Sequence, residues 1–191
     1  NFPNGRPALE KAGVYMTDRD TVNKSERMKV TACLNPIHSA LGPYGCVLGY
    51  TLFSDEMVDP DMLKLAYLIG DEGMDVVPDP VILSPKEFLR ECLEERFPNP
   101  YLGDTVQRLT TDISQGVGVR FGETVKSYVE KYGDASRLKG IPLAIAGWVR
   151  YLLAVDDEGN KFELSPDPLN EELQELLSSV KVGDPASLKD Q

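Results

Sequence analysis

Two short segments of this 191-residue chain hold side chains whose types and spacing suit proton transfer at a carbon-bound oxygen: Glu26-Arg27-Met28-Lys29, and then Leu34-Asn35-Pro36-Ile37-His38. Asn35 and His38 are three apart, so one helical turn presents both polar groups on the same face. Lys29 lies on the preceding helical stretch, whose end abuts that turn. A lysine partly desolvated among Val30, Cys33 and Leu34 would have a lowered pKa, the condition for acting as a base near neutral pH. The amide and the imidazole could then hold a substrate hydroxyl or carbonyl oxygen. The same residues also have a plainer reading: Asn35 as a helix cap, His38 as a satisfied core histidine, Lys29 as a surface cation.

Other chemistries find less support. Gly116-Val117-Gly118-Val119-Arg120-Phe121-Gly122 superficially resembles a dinucleotide loop, but its third glycine comes one residue late. No strand pattern precedes it and no βαβ unit surrounds it, so a pyrophosphate cradle is not expected. There is no P-loop and no GxSxG elbow, and a single histidine excludes a His-rich metal site; no metal ligands are assigned. Cys33, Cys46 and Cys92 lack a CxxC pattern and point to buried thiols in a reducing, cytoplasmic compartment. The 20 basic and 31 acidic side chains give a net charge of −11, a poor balance for binding nucleic acid. That charge is uneven: residues 1–50 carry a balance of +2 and residues 156–191 one of −7, so an anionic ligand would be better hosted by the N-terminal part. No apolar run approaches the ~18–20 residues of a membrane span.

The elements that must position these groups are mostly helical. Asp18 and Asp20 offer N-caps for a helix over residues 20–34, and Asn35-Pro36 breaks it. Residues 36–50 form a second helix, apolar nearly all round, with Gly42, Gly45 and Gly49 spaced for close helix–helix approach. Further helices are expected over residues 59–70, 84–96 (with Ser84-Pro85-Lys86-Glu87 as a capping box), 104–114, 122–132, 142–154 and 170–179. The acidic turn at 156–160, between short alternating segments, predicts one small β-hairpin near residues 154–164. The fold class is therefore mostly α.

Three stretches carry a family likeness: Phe2-Pro3-Asn4-Gly5-Arg6-Pro7-Ala8-Leu9-Glu10-Lys11-Ala12-Gly13-Val14, then Lys29 through His38, then Asn99-Pro100 with Asp104-Thr105, Arg108, Asp112-Ile113-Ser114-Gln115 and Arg120. The turn near 154–164 and Asp167-Pro168 extend it toward the end. With them the chain resembles the C-terminal domain of the mannitol dehydrogenase family, long-chain polyol dehydrogenases that include fructuronate and tagaturonate reductases. The resemblance implies a multi-helical substrate domain like that of 6-phosphogluconate-type dehydrogenases, here residues 18–191. An N-terminal Rossmann domain would precede it and hold NAD or NADP, residues 1–17 would be the linker, and no cofactor-binding residue is expected within the chain. A start at Asn1-Phe2-Pro3 rather than at methionine reads as the middle of a longer polypeptide.

In such enzymes a lysine takes the carbinol proton while hydride leaves to the nicotinamide. Carried over by motif, Lys29 is the base, Asn35 and His38 hold the reacting oxygen, and Arg108 binds the distal hydroxyls or carboxylate of a sugar alcohol or sugar acid. Two departures stand out. The family separates lysine and asparagine by four residues and this chain by five, so strict alignment puts Val30 at the lysine position. A regular helix would turn Lys29 roughly 100° away, and a one-residue bulge would restore the geometry. Gly116 stands where relatives often have lysine, leaving Arg120 as the replacement cation. The competing reading, from another class, is a non-catalytic helical interaction or oligomerisation domain that keeps only the scaffold. Either way an apolar surface is expected near Lys29 and His38, able to meet the Rossmann domain or a second copy of the chain.

Overall fold

The computed structural model describes residues 3–188. Asn1, Phe2 and residues 189–191 lie outside the described residues, so the family likeness at Phe2 and the two ends of the expected linker and domain are not met in it. Residues 3–18 are exposed throughout and carry one 3-10 turn, Leu9–Ala12. Regular structure begins where Asp18 accepts the Thr21 N–H (2.9 Å) and caps α1 (Arg19–Met28).

A five-residue π-turn, Lys29–Cys33, links α1 to α2 (Asn35–Leu48), which starts with Pro36 in its first turn and ends at Gly49 in the left-handed region (φ 79°). The one-turn α3 (Phe53–Glu56) and α4 (Pro60–Met74) follow, the latter capped by Asp59. Next come α5 (Pro85–Glu91), capped by Ser84 and running into a second π-turn, Cys92–Arg96, then α6 (Val106–Leu109) and α7 (Ile113–Arg120). The set closes with α8 (Gly122–Tyr132), α9 (Gly140–Leu152) and α10 (Asn170–Leu176). Among the described residues no helix is long and apolar enough to cross a membrane.

Helix α2 is the axis of the domain, with Ile37, Ala40, Leu41 and Val47 buried. A Cβ on Gly42 would come 3.1 Å from Leu109 Cβ, and one on Gly45 would overlap Glu56 and Val106, so two of the three glycines seat α6 and α3 against the axis as their spacing predicted. Gly49 instead ends the helix. From the other side Gly147 of α9 receives the Tyr44 ring. The start of α9 is held by a buried carboxylate: Glu72 of α4 accepts the N–H groups of Lys139, Gly140 (2.8 Å) and Ile141 (2.9 Å). Three otherwise unpartnered helix donors are thus satisfied by one anion at the positive end of the helix dipole.

Two expectations need correction. The hairpin near 154–164 is not formed; Val155 and Lys161 make a single bridge. Two cross-turn bonds form, from the Asp156 N–H to the Asn160 carbonyl (2.8 Å) and from the Phe162 N–H to the Ala154 carbonyl (3.1 Å), but other backbone groups a longer ladder would use are engaged elsewhere. Asp156 Oδ1 accepts from the Glu158 and Asn160 N–H groups, Arg150 takes the Val155 and Asp156 carbonyls, and the Asp157 N–H donates to Val47 in α2. The helix expected over 104–114 is two helices, because Asp112 adopts φ 51° and donates its N–H to the Pro166 carbonyl, away from any helical partner.

Replacing Glu72 by alanine leaves three helix-terminal donors buried without an acceptor. The expected loss is about 2–4 kcal/mol of unfolding free energy, read from the urea midpoint of the purified chain. A change below about 0.5 kcal/mol would show that α9 does not depend on this cap.

Candidate active site

The extra residue between Lys29 and Asn35 is absorbed where the chain leaves the α-helix. The Leu34 N–H donates to the Lys29 carbonyl five residues back (3.2 Å), the bond that defines a π-turn. The turn is held from several sides. Gly73 of α4 lies so close that a Cβ there would stand 2.8 Å from Ala32 Cα, Thr124 Oγ1 of α8 donates to the Thr31 carbonyl (2.9 Å), and Thr31 Oγ1 donates back to Arg27 (2.8 Å). Cys33, fully buried, directs its thiol at Pro85 at the start of α5. The two candidate positions for a base separate as a result. Val30 lines a cavity of about 380 Å³ with Asn23, Arg27, Val119 and Glu123. Lys29 is half-buried and sets its ammonium over the Phe88 ring of α5, 5.4 Å from the centroid.

The second π-turn brings Arg96 to the same ring, 5.7 Å from its centroid, and the next residue, Phe97, packs on His38. His38 stands between two aromatic walls, Phe53 (4.8 Å, edge-on) and Phe97 (4.9 Å), and its Nε2 is buried with no hydrogen-bond partner. Burial pushes its pKa down to about 4; Asp104 favours the imidazolium, and Arg108, Arg120 and Arg96 oppose it. The imidazole is therefore neutral at physiological pH, with one ring nitrogen free to donate and the other to accept. Asn35 is half-buried at the first position of α2, and its amide makes no hydrogen bond among the described residues.

Both candidate arginines act on His38 from the same neighbourhood, in different states. Arg108, on α6 behind the Thr105 cap, is 60% exposed and paired with Asp104. Arg120 ends α7, is half-buried, and donates from Nη1 to the Ser39 hydroxyl (2.5 Å), beside His38 in α2. Asp167 fixes the start of α7 by accepting both the N–H (2.8 Å) and the hydroxyl (2.5 Å) of Ser114. Gly116 and Gly118 lie inside α7 rather than in a loop between a strand and a helix, so the segment does not form a dinucleotide loop. Phe53, Phe88, Arg96 and Phe97 escaped the sequence reading; the one cue was the position of Arg96-Phe97 just before the Asn99-Pro100 motif. Tyr101 (96% exposed) and Leu102 lie just beyond it and leave apolar surface at this edge.

A model described as the mannitol dehydrogenase C-terminal domain matches residues 21–188. The D-mannonate oxidoreductase of Thermotoga maritima is 56% identical over 193 residues, spanning 100% of this chain and 36% of that protein. Two solved structures share the fold. Pseudomonas fluorescens mannitol 2-dehydrogenase, in a ternary complex with NAD and D-mannitol, aligns with a TM-score of 0.74 at 29% identity over 92% of this chain and 34% of its own. A D-sorbitol dehydrogenase in substrate-free form aligns with a TM-score of 0.76 at 27% identity over 90% and 34%. The chain thus spans about a third of the length of the relatives it matches.

With a folded pKa near 4 and an unfolded value near 6.5, His38 binds its proton more readily in the unfolded chain. Its contribution to stability is complete above about pH 6.5 and is lost as pH falls toward 4, a difference of up to ~3 kcal/mol. The His38→Phe variant should therefore gain on the wild type as pH drops through that window, in paired urea titrations. A constant difference from pH 7 to 4, or an imidazole titrating near 6.5 by NMR, would contradict the burial described.

Proposed function

The chain belongs to the mannitol dehydrogenase family, as its C-terminal domain, and on that premise we propose that it is the substrate-binding and catalytic domain of an NAD(P)-dependent oxidoreductase. The reaction interconverts a sugar alcohol or an aldonate with the corresponding ketose or ketouronate. The observation that carries this reading is that three polar groups at one helix junction have no hydrogen-bond or ion-pair partner among the described residues. The Lys29 ammonium has no acid partner among the described residues, the Asn35 amide makes no hydrogen bond there, and the buried His38 Nε2 is unpartnered. A scaffold kept only for interactions would be expected to satisfy such groups internally, because a buried unpaired polar atom costs about 1–3 kcal/mol.

In the oxidative direction Lys29 is the base that takes the hydroxyl proton of the carbinol. The Asn35 amide and the neutral His38 ring hold that oxygen as it gains carbonyl character, and Phe53 and Phe97 keep the imidazole in place and exclude water from it. Arg108 and Arg120 bind the remote end of the substrate. A nicotinamide cofactor, held by a Rossmann domain outside this chain with residues 1–17 as the link, would accept the hydride. Tyr101 and Leu102 offer apolar surface for that domain to meet.

In the full-length protein Lys29→Ala should lower turnover by 10²–10⁴-fold, the usual contribution of a general base, with nicotinamide nucleotide affinity changed less than about threefold. Adding Val30→Lys should not restore it, since position 30 opens into the cavity lined by Asn23, Arg27, Val119 and Glu123. Turnover within a few-fold of wild type, or rescue by lysine at position 30, would remove Lys29 from the reaction.

A further inference from the structure

The one-turn helix α3 is anchored at its two ends. Phe53 and Glu56 lie three apart and both face α2, where they meet His38 and Gly45, two turns apart on one face. The Phe53 ring stands edge-on to the imidazole at 4.8 Å. Glu56 is fully buried, and neither of its carboxyl oxygens has a hydrogen-bond partner among the described residues. A Cβ at Gly45 would overlap Glu56 Oε1 and stand 2.9 Å from Cδ, so the carboxyl group lies directly on the α2 backbone.

Nothing around Glu56 compensates a charge. Cys46 and Tyr50 are the titratable groups of α2 that it acts on, and the Tyr50 hydroxyl is already given to Asp59 (2.9 Å). Asp55 and Asp59 flank it in sequence, and both are acids. From α6 it meets Val106, while Arg108 of that helix pairs with Asp104. The 3-10 turn Pro100–Leu102, also packed on α3, presents Tyr101 to solvent. Burial alone therefore sets its acidity and raises the pKa from 4.5 to about 9. An ionised Glu56 would be an unpaired charge in an apolar seat, a state relieved by bringing the charge to water. A single helical turn is the smallest element that can move to do so, and Phe53 moves with it.

We infer that Glu56 is a positioning residue for His38: its proton keeps α3, and with it the Phe53 wall, seated against the imidazole, and loss of that proton releases both. The site thereby acquires an alkaline limit. The inference rests on the dehydrogenase reading only for its effect on turnover. With a folded pKa near 9 and an unfolded value near 4.5, the folded chain binds this proton more readily. Stability is therefore lost as pH rises from 4.5 to 9, whereas the contribution of His38 is lost as pH falls.

The test follows His38, the one histidine of the sequence, by NMR of the purified chain from pH 7 to 10, in wild type and Glu56→Gln. His38 is neutral throughout that range, so movement of its ring signals reports its surroundings. The wild-type signals should shift with a midpoint near 9 as the Phe53 ring withdraws, with far-UV circular dichroism unchanged. In Glu56→Gln they should stay fixed. Between pH 5 and 8 the unfolding constant of the wild type should rise about tenfold per pH unit relative to the variant, in paired urea titrations. Glu56→Met removes the same charge and takes the place of Glu56→Gln if that variant does not fold. In the full-length protein the ratio of kcat/KM for D-mannonate, Glu56→Gln over wild type, should grow at least about fivefold from pH 7.5 to 10. His38 signals that move alike in both proteins or in neither, or unfolding constants that run parallel with pH, would overturn the inference. So would a wild type that unfolds in step with the His38 shift, since the release would then be global. A flat kcat/KM ratio alongside the NMR shift would overturn the effect on the reaction alone. A folded full-length wild type inactive on D-mannonate and D-mannitol would overturn the dehydrogenase reading, and the NMR comparison would still decide what seats His38.

Discussion

The arrangement of the site depends on the π-turn at Lys29–Cys33. One residue more than a regular helix accommodates has to be stored between α1 and α2, and a π-turn stores it at the cost of wider, poorer backbone bonding. The surroundings offset that cost. Gly73 lets α4 pack directly on the backbone at Ala32, Thr124 satisfies the Thr31 carbonyl, and Thr31, Ala32 and Cys33 are all buried. A side chain at position 73 or a lost hydroxyl at 124 would act on Lys29 without touching it. The turn separates Lys29, over Phe88, from Val30, which lines a cavity with Asn23, Arg27, Val119 and Glu123, and hands the chain to α2 with Asn35 and His38 one turn apart.

Two buried carboxylates show how the fold sorts charge away from this junction. Glu72 receives three backbone N–H groups and binds α4 to α9. Glu56, fully buried against Gly45 with neither oxygen hydrogen-bonded, has its pKa raised to about 9 by burial and is a neutral acid at physiological pH. It therefore contributes no negative charge behind α2. Asp104 is the acid that bears on His38, and it is engaged by Arg108. Around His38, Asp104 is opposed by Arg108, Arg120 and Arg96.

Much of this was legible in the residues. Asp18, Asp59 and Ser84 cap helices where their positions announced it, because an N-cap is a local interaction between a side chain and amides two or three residues on. The count of five residues between Lys29 and Asn35 calls for a bulge, and a π-turn forms there. Long-range effects were not legible. The break at Asp112 answers a carbonyl at Pro166, and the hairpin fails because Arg150 and Val47 compete for its backbone. The walls of His38 come from Phe53 and Phe97, 15 and 59 residues away in sequence, and the second π-turn that aims Arg96 left no local signature.

The most direct test of the central claim is a crystal structure of the full-length protein with nicotinamide cofactor and an aldonate bound. The account predicts that the π-turn persists and that Lys29 Nζ, with the Asn35 amide and a His38 ring nitrogen, lies within about 2.6–3.2 Å of one substrate oxygen, or reaches it through a single water. A complex in which Lys29 stays over Phe88 with no path to the substrate, while another side chain contacts the reacting oxygen, would contradict it.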